Sequence, residues 1–186
     1  KPSDEQDFNY VVAVFSDITQ RKKTQDELFY MANYDPLTKL ANRAMFHNSF
    51  SHAITNARRN EQTLAILFID LDKFKLVNDT LGHDAGDELL IQSAKRLQSH
   101  VRQTDIVSRL SGDEFTIILD NITDVSQVQT IATKIQQDFQ RDFKLNDQIA
   151  NIGTSIGIAI YPGDGTDADS LLKNADTAMY YAKTNG

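Results

Sequence analysis

Two pairs of acidic residues carry the chemistry this chain offers. Asp70 and Asp72 close the apolar run Leu64-Ala65-Ile66-Leu67-Phe68-Ile69, and Asp113 and Glu114 stand side by side in Arg109-Leu110-Ser111-Gly112-Asp113-Glu114-Phe115. Adjacent like charges repel, so an acidic tip of this kind is either solvated or built to hold a cation. A carboxylate at the end of a buried strand is costly unless solvated or paired, and strand ends in open sheets are where ligands tend to sit. If the second segment pairs beside the first, three or four carboxyl oxygens converge. Mg²⁺ binds through one or two carboxylates plus substrate phosphates, and two such ions activate an attacking oxygen and stabilise a leaving one. The expected chemistry is Mg²⁺-dependent and acts on a nucleoside triphosphate.

The elements that must position these acids follow from pattern. Leu64–Ile69 is continuously apolar, as in a strand buried on both faces. Ile106-Val107-Ser108 and Phe115-Thr116-Ile117-Ile118-Leu119 read as strands joined by a Ser-Gly turn. Asn42 is a good N-cap for a helix over 43–59, whose Met45, Phe46, Phe50, Ala53, Ile54 and Ala57 form one stripe. Further helices are expected over 86–102, from Val125 to Phe139, and over 167–183. Residues 149–160 read as one strand whose Gly153 and Gly157 mark bends or close backbone approach. Interleaved helices and strands around one hairpin predict an α/β sandwich (α+β) with a mostly antiparallel sheet, in the ferredoxin-like split βαβ style.

Composition narrows the classes. The 186 residues suffice for one domain and a short appendage. A net charge of -7 argues against general nucleic-acid binding, which needs basic surface. The chain has no cysteine, so thiolate chemistry and disulfides are excluded. No apolar run approaches the roughly 18 residues of a membrane span, so no direct membrane contact is expected in this stretch. A cytoplasmic location is expected, with room for a membrane tether elsewhere in a longer protein. Residues 1–19 contain the strand-like run Phe8–Phe15 followed by Ser16-Asp17-Ile18-Thr19. With the polar helix over 20–33, they resemble the end of a PAS sensor domain and its signalling linker.

From Tyr34 to Gly186 the chain resembles the GGDEF-domain diguanylate cyclases. The resemblance rests on Asp35-Pro36-Leu37-Thr38 with Leu40-Ala41-Asn42-Arg43, on Phe68 through Lys75 with Asn78-Asp79, and on Leu81-Gly82-His83 with Gly86-Asp87. It continues through Ser111-Gly112-Asp113-Glu114-Phe115, Ser155-Ile156-Gly157-Ile158-Ala159, and Ala175-Asp176 with Ala178-Met179-Tyr180 and Ala182-Lys183. It implies a palm-type nucleotide cyclase fold over 34–186. The implied reaction joins two GTP molecules into cyclic di-GMP and releases two pyrophosphates, with Mg²⁺ or Mn²⁺ as cofactor.

The resemblance also implies roles. Asp70, Asp113, Glu114 and the Leu71 carbonyl hold metal, with Asp70, Asp113 and Glu114 catalytic. Asn78 and Asp87 read the guanine edge, Lys75 and Lys183 meet phosphates, and Phe74 and Gly112 border the substrate. Arg102 and Asp105, with Arg109, form a product-inhibition site, against a plain reading of Arg102 as a favourable charge at a helix C-terminus. A symmetric product made from two GTP molecules implies a homodimer, each domain presenting one substrate. The linker helix is expected to pair with its copy.

Three departures stand out: Ser111 replaces the first Gly of the signature, Lys39 stands where Gly is usual, and the chain ends at Gly186 where the family commonly continues. Strain or crowding at Ser111 would lower activity. The alternatives are a GTP-binding regulatory domain controlling an adjacent phosphodiesterase domain, and a cyclic di-GMP receptor.

Overall fold

The computed structural model describes residues 17–185. The strand-like run at Phe8–Phe15, and with it most of the PAS-like segment, lies outside the described residues. Helix α1 (Thr19–Asn33) is followed by α2 (Arg43–Asn60), β1 (Thr63–Leu71), α3 (Phe74–Leu81) and α4 (His83–Ser99). The hairpin β2 (Ile106–Ser111) and β3 (Glu114–Ile122) comes next, then α5 (Val125–Phe139). The short pair β4 (Phe143–Leu145) and β5 (Gln148–Ala150), strand β6 (Thr154–Tyr161) and α6 (Ala168–Asn185) complete the chain.

The main sheet has the order β2-β3-β1-β6 with every neighbouring pair antiparallel. This is the expected α+β sandwich of ferredoxin-like type. Side-chain alternation along β1 explains the two layers. Leu64, Ile66 and Phe68 face α2 and α6, where they meet Phe46, Phe50, Ile54, Leu171 and Met179. Ala65, Leu67, Ile69 and Leu71 face α3, α4 and α5, among Val77, Leu89, Leu97, Ile135 and Phe139. A strand with helices over both faces must be apolar at every position, as the run 64–69 is.

Local chemistry sets the helix ends. The Asn42 side chain accepts from the Met45 amide at 3.0 Å, capping α2. Gly157 lets α6 lie on β6: a Cβ there would fall 1.9 Å from the Ala175 carbonyl oxygen.

Three expectations are corrected. The helix expected over 86–102 begins at His83, because Gly82 at φ +88° ends α3 and starts α4. It stops at Ser99, and Arg102–Asp105 is a closed turn. There the Asp105 carboxylate accepts from the Arg102 amide at 2.8 Å, and the Asp105 amide donates back to the Arg102 carbonyl at 3.0 Å. The strand expected over 149–160 is two strands, interrupted at Asn151-Ile152-Gly153. Helix α3 was not anticipated; it is short, carries one buried residue, Val77, and starts only after Lys73 turns the chain at φ +61°.

Candidate active site

The site forms where the C-terminal end of β1 meets the β2–β3 turn. Asp70 pairs in register with Glu114 on one side and Ser155 on the other. Alternation puts Asp70 on the same face of β1 as Ile66 and Phe68, beneath the last turn of α6. Lys183 of that turn donates to Asp70 Oδ1. The Leu71 amide lies 3.4 Å from the Asp113 carbonyl, tying the tip to the strand end. Burial raises the Asp70 pKa, and the nearby Asp113 and Asp72 charges push the same way against the Lys183 hydrogen bond. Burial works against the charged form of Lys183, but its bond to Asp70 and the surrounding acids win and raise its pKa. The corner is strongly negative, and one ammonium offsets part of that charge.

Strand β6 supports this corner. The Thr154 hydroxyl donates to the Asp70 carbonyl at 2.9 Å, and the Ser155 hydroxyl to Asp72 Oδ1 at 2.7 Å. The Asp72 amide donates to the Gly153 carbonyl at 3.0 Å. Asp72 is therefore bound into the scaffold. Nothing in the spacing of Thr154 and Ser155 marked them for this role; it needs the β1–β6 register.

Glu114 does not join the other acids. Its carboxylate accepts from the Ser111 hydroxyl, and among the described residues no three acidic or imidazole side chains gather as a ready metal cage. The expected convergence is thus partial: Asp70 and Asp113 approach each other while Glu114 is held at the turn. The donor types still fit a hard divalent cation, because Asp70, Asp113 and the Leu71 carbonyl offer only oxygen, and an ammonium already occupies the negative corner.

The positive φ of the turn falls on Gly112, at +45°. Ser111 ends strand β2 and carries no such strain, which corrects the expectation of strain there. Lys39 is the residue that pays: it sits at φ +63°, where Gly is favoured, and its ammonium bonds the Pro36 carbonyl at 2.6 Å.

Helices α3 and α4 bring a second set together. Lys75 is exposed and Phe74 half-buried on α3, and Asn78 on α3 lies against Gly86 of α4 beside the exposed Asp87. Arg102 and Asp105 border two neighbouring clefts, one with Gln98 and Val107, the other with His100, Asp120 and Gln127. Arg109 borders neither. Its Nη1 bonds both Asp35 oxygens, at 3.1 and 3.2 Å, and its Nε donates to the Gly112 carbonyl at 2.9 Å. The grouping of Arg109 with Arg102 and Asp105 is corrected accordingly: the guanidinium is committed to Asp35 and to the turn.

The chain matches the family described as diguanylate cyclase, GGDEF domain, over residues 32–186. It belongs to the GGDEF family. This GGDEF domain is 43% identical to the signaling protein YkoW of Bacillus subtilis over 96% of its own length and 22% of that protein's. It is 40% identical to the bifunctional diguanylate cyclase/cyclic di-GMP phosphodiesterase MucR of Pseudomonas aeruginosa, covering 90% of this chain and 24% of MucR. The chain thus spans about a quarter of these relatives. Among solved structures, the GGDEF domain of TpbB from Pseudomonas aeruginosa superposes with a TM-score of 0.81 at 40% identity, covering 82% of this chain and 90% of that one. The coiled coil and GGDEF domain of DgcB from Caulobacter crescentus, in complex with c-di-GMP, gives 0.83 at 27% identity, covering 91% and 90%. No helix among the described residues is long and apolar enough to cross a membrane.

Proposed function

We propose that this GGDEF domain is a diguanylate cyclase that condenses two GTP molecules into cyclic di-GMP across a homodimer. The observation that carries the reading is the register of Asp70 with Glu114, with Asp113 beside them and Lys183 above. Asp70, the Leu71 carbonyl, Asp113 and Glu114 would hold Mg²⁺ or Mn²⁺. When bound, that ion supplies positive charge for the triphosphate and polarises its oxygens. Glu114 reaches it by leaving Ser111.

The chain's own residues do the rest. Lys183, released from Asp70, and Lys75 meet phosphate oxygens as point charges. Asn78 and Asp87 read the guanine edge; a carboxylate accepts from the N1–H and exocyclic amine, a pattern adenine lacks. Gly112 keeps the turn free of a side chain where the nucleotide passes. Asp113 takes the ribose 3′-hydroxyl proton as that oxygen attacks the α-phosphorus of the GTP on the facing domain, and pyrophosphate leaves.

Each domain presents one substrate, so a monomer is half a site. Helix α1 is the linker that sets the distance between halves. It buries no residue of its own, and Leu28, Phe29 and Met31 are exposed on it, as pairing with a second α1 requires. Residues before α1 are the end of a PAS-like sensor, and the domain acts in the cytoplasm.

Incubation of the dimeric protein with GTP and Mg²⁺, followed by mass spectrometry, is expected to show cyclic di-GMP, with Asp113→Ala as the inactive control. No product from a dimeric preparation would instead favour a GTP-binding regulatory domain. Removal of residues before Tyr34 is expected to abolish most turnover at low protein concentration; full turnover by a strict monomer would refute the dimer requirement.

A second reading, feedback binding of cyclic di-GMP, is supported by the closed Arg102–Asp105 turn. It leaves the Arg102 guanidinium without a partner among the described residues, bordering two clefts. Arg102→Ala is expected to weaken cyclic di-GMP binding at least tenfold, measured by titration calorimetry.

A further inference from the structure

Gly86 is an unexpected residue inside a helix. It is the fourth residue of α4, where glycine is the poorest choice after proline. It is buried, yet its φ is not in the left-handed region, so its backbone does not call for glycine. The reason lies on the neighbouring helix. A Cβ built on Gly86 would sit 1.9 Å from Asn78 Oδ1, 2.9 Å from Asn78 Cγ and 3.5 Å from Nδ2. The three nearest atoms all belong to this one side chain.

The backbone around the contact is already fastened. The Gly82 amide donates to the Asn78 carbonyl at 3.0 Å and the Gly86 amide to the Gly82 carbonyl at 3.2 Å. The α3–α4 corner thus has little freedom to open, and the strain of any added Cβ falls on the Asn78 side chain. Asn78 is half-buried and Asp87, next to Gly86, is exposed. The missing Cβ therefore leaves room for the Asn78 amide head against α4, at the residue preceding Asp87.

We infer that Gly86 is a specificity-positioning residue: its bare Cα seats the Asn78 carboxamide in the orientation that reads guanine. It touches no substrate itself. This inference rests on the reading of Asn78 as a base-recognising residue and names what fixes its geometry. Methyl substitution at 86 turns the carboxamide away, costing guanine affinity while leaving phosphate and metal contacts intact.

The test uses the whole chain and a GTP analogue with a non-hydrolysable α,β bridge, with the matching ATP analogue as comparator, by titration calorimetry. Gly86→Ala is expected to weaken the GTP analogue about tenfold and to lower its preference over the ATP analogue about as much. Its melting temperature should stay at or above the parent's, because alanine favours the helix. In the Asn78→Ala background, adding Gly86→Ala should change affinity less than twofold, since nothing is left to displace. Parent-like affinity and selectivity in Gly86→Ala would overturn the inference, as would a further tenfold loss in the double variant. Should Gly86→Ala fail to fold, recovery of the fold in the double variant supports the same contact, and an unfolded double variant overturns it. Unchanged affinity in Asn78→Ala alone would overturn the base-reading itself, a separate and distinguishable failure.

Discussion

Arg109 binds Asp35 through both carboxylate oxygens, at 3.1 and 3.2 Å, and through the same guanidinium holds the Gly112 carbonyl at 2.9 Å. Asp35 lies two residues past α1 and Gly112 is the tip of the acidic turn. One half-buried side chain therefore joins the segment just past α1 to the acidic turn. A planar, always charged fork suits this double task, and lysine would not replace it.

The pair sets a pH dependence. Burial raises the Asp35 pKa, but hydrogen bonds from the Thr38 hydroxyl and amide and the Arg109 contact outweigh it, and the net shift is downward. A depressed carboxylate adds stability above its unfolded value of about 4 and loses it as pH falls through the lower folded value. Asp35→Asn is expected to cost roughly 1–3 kcal/mol at pH 7. The gap between parent and variant should close below about pH 4. Urea unfolding at pH 7, 4 and 3 measures it; a gap that stays constant would refute the role of the charge.

Ser111 is a restraint on Glu114 rather than a strained position. Ser111→Gly removes the hydroxyl that Glu114 accepts from and is expected to free the carboxylate. Steady-state assays should show half-saturation at a several-fold lower Mg²⁺ concentration, with melting temperature little changed because Ser111 is exposed.

Lys183 donates to Asp70, one of the residues proposed to hold metal. Lys183→Met is expected to let metal alone raise the melting temperature at lower concentration, since no ammonium competes. The same variant should raise KM for GTP about tenfold, the loss of one phosphate charge being worth about 1.4 kcal/mol. Opposite movement of metal and nucleotide affinity is the diagnostic; parallel movement would refute competition.

Gly157 positions the helix that carries Lys183. A Cβ there would meet backbone, 1.9 Å from the Ala175 oxygen and 2.2 Å from the Met179 nitrogen. Backbone cannot rotate aside as a side chain does. Gly157→Ala is expected to destabilise by roughly 3 kcal/mol, lowering the melting temperature by about 6–12 °C, as calorimetry would show. Turnover should fall as well, because α6 moves off the sheet.

Much of this was legible before any coordinates. The run Leu64–Ile69 required a strand covered on both sides, and Asn42 announced the start of α2, because burial and capping leave residue-type signatures. The acids Asp70, Asp113 and Glu114 were visible as chemistry for the same reason. Helix α3 escaped notice because it holds a single buried residue, too few for a period. The strand expected over 149–160 was overextended because its break at Asn151-Ile152-Gly153 sits among apolar and β-branched neighbours.

Other features needed the third dimension. Arg109 belongs with Asp35, 74 residues away, and no local pattern encodes a partner at that distance. Ser111 takes up Glu114 because strand β2 ends at the serine and leaves the positive φ to Gly112. Gly86 faces Asn78 because two helices cross at Gly82. By itself the sequence determined the α+β class, the acidic residues and the family, since hydrophobic period, turn chemistry and motif order are properties of neighbours along the chain. Only the tertiary structure decided which acid the ammonium holds, which acid the serine holds and which side chain the bare glycine seats. Those choices depend on sheet register and helix contact, which bring together residues far apart in sequence.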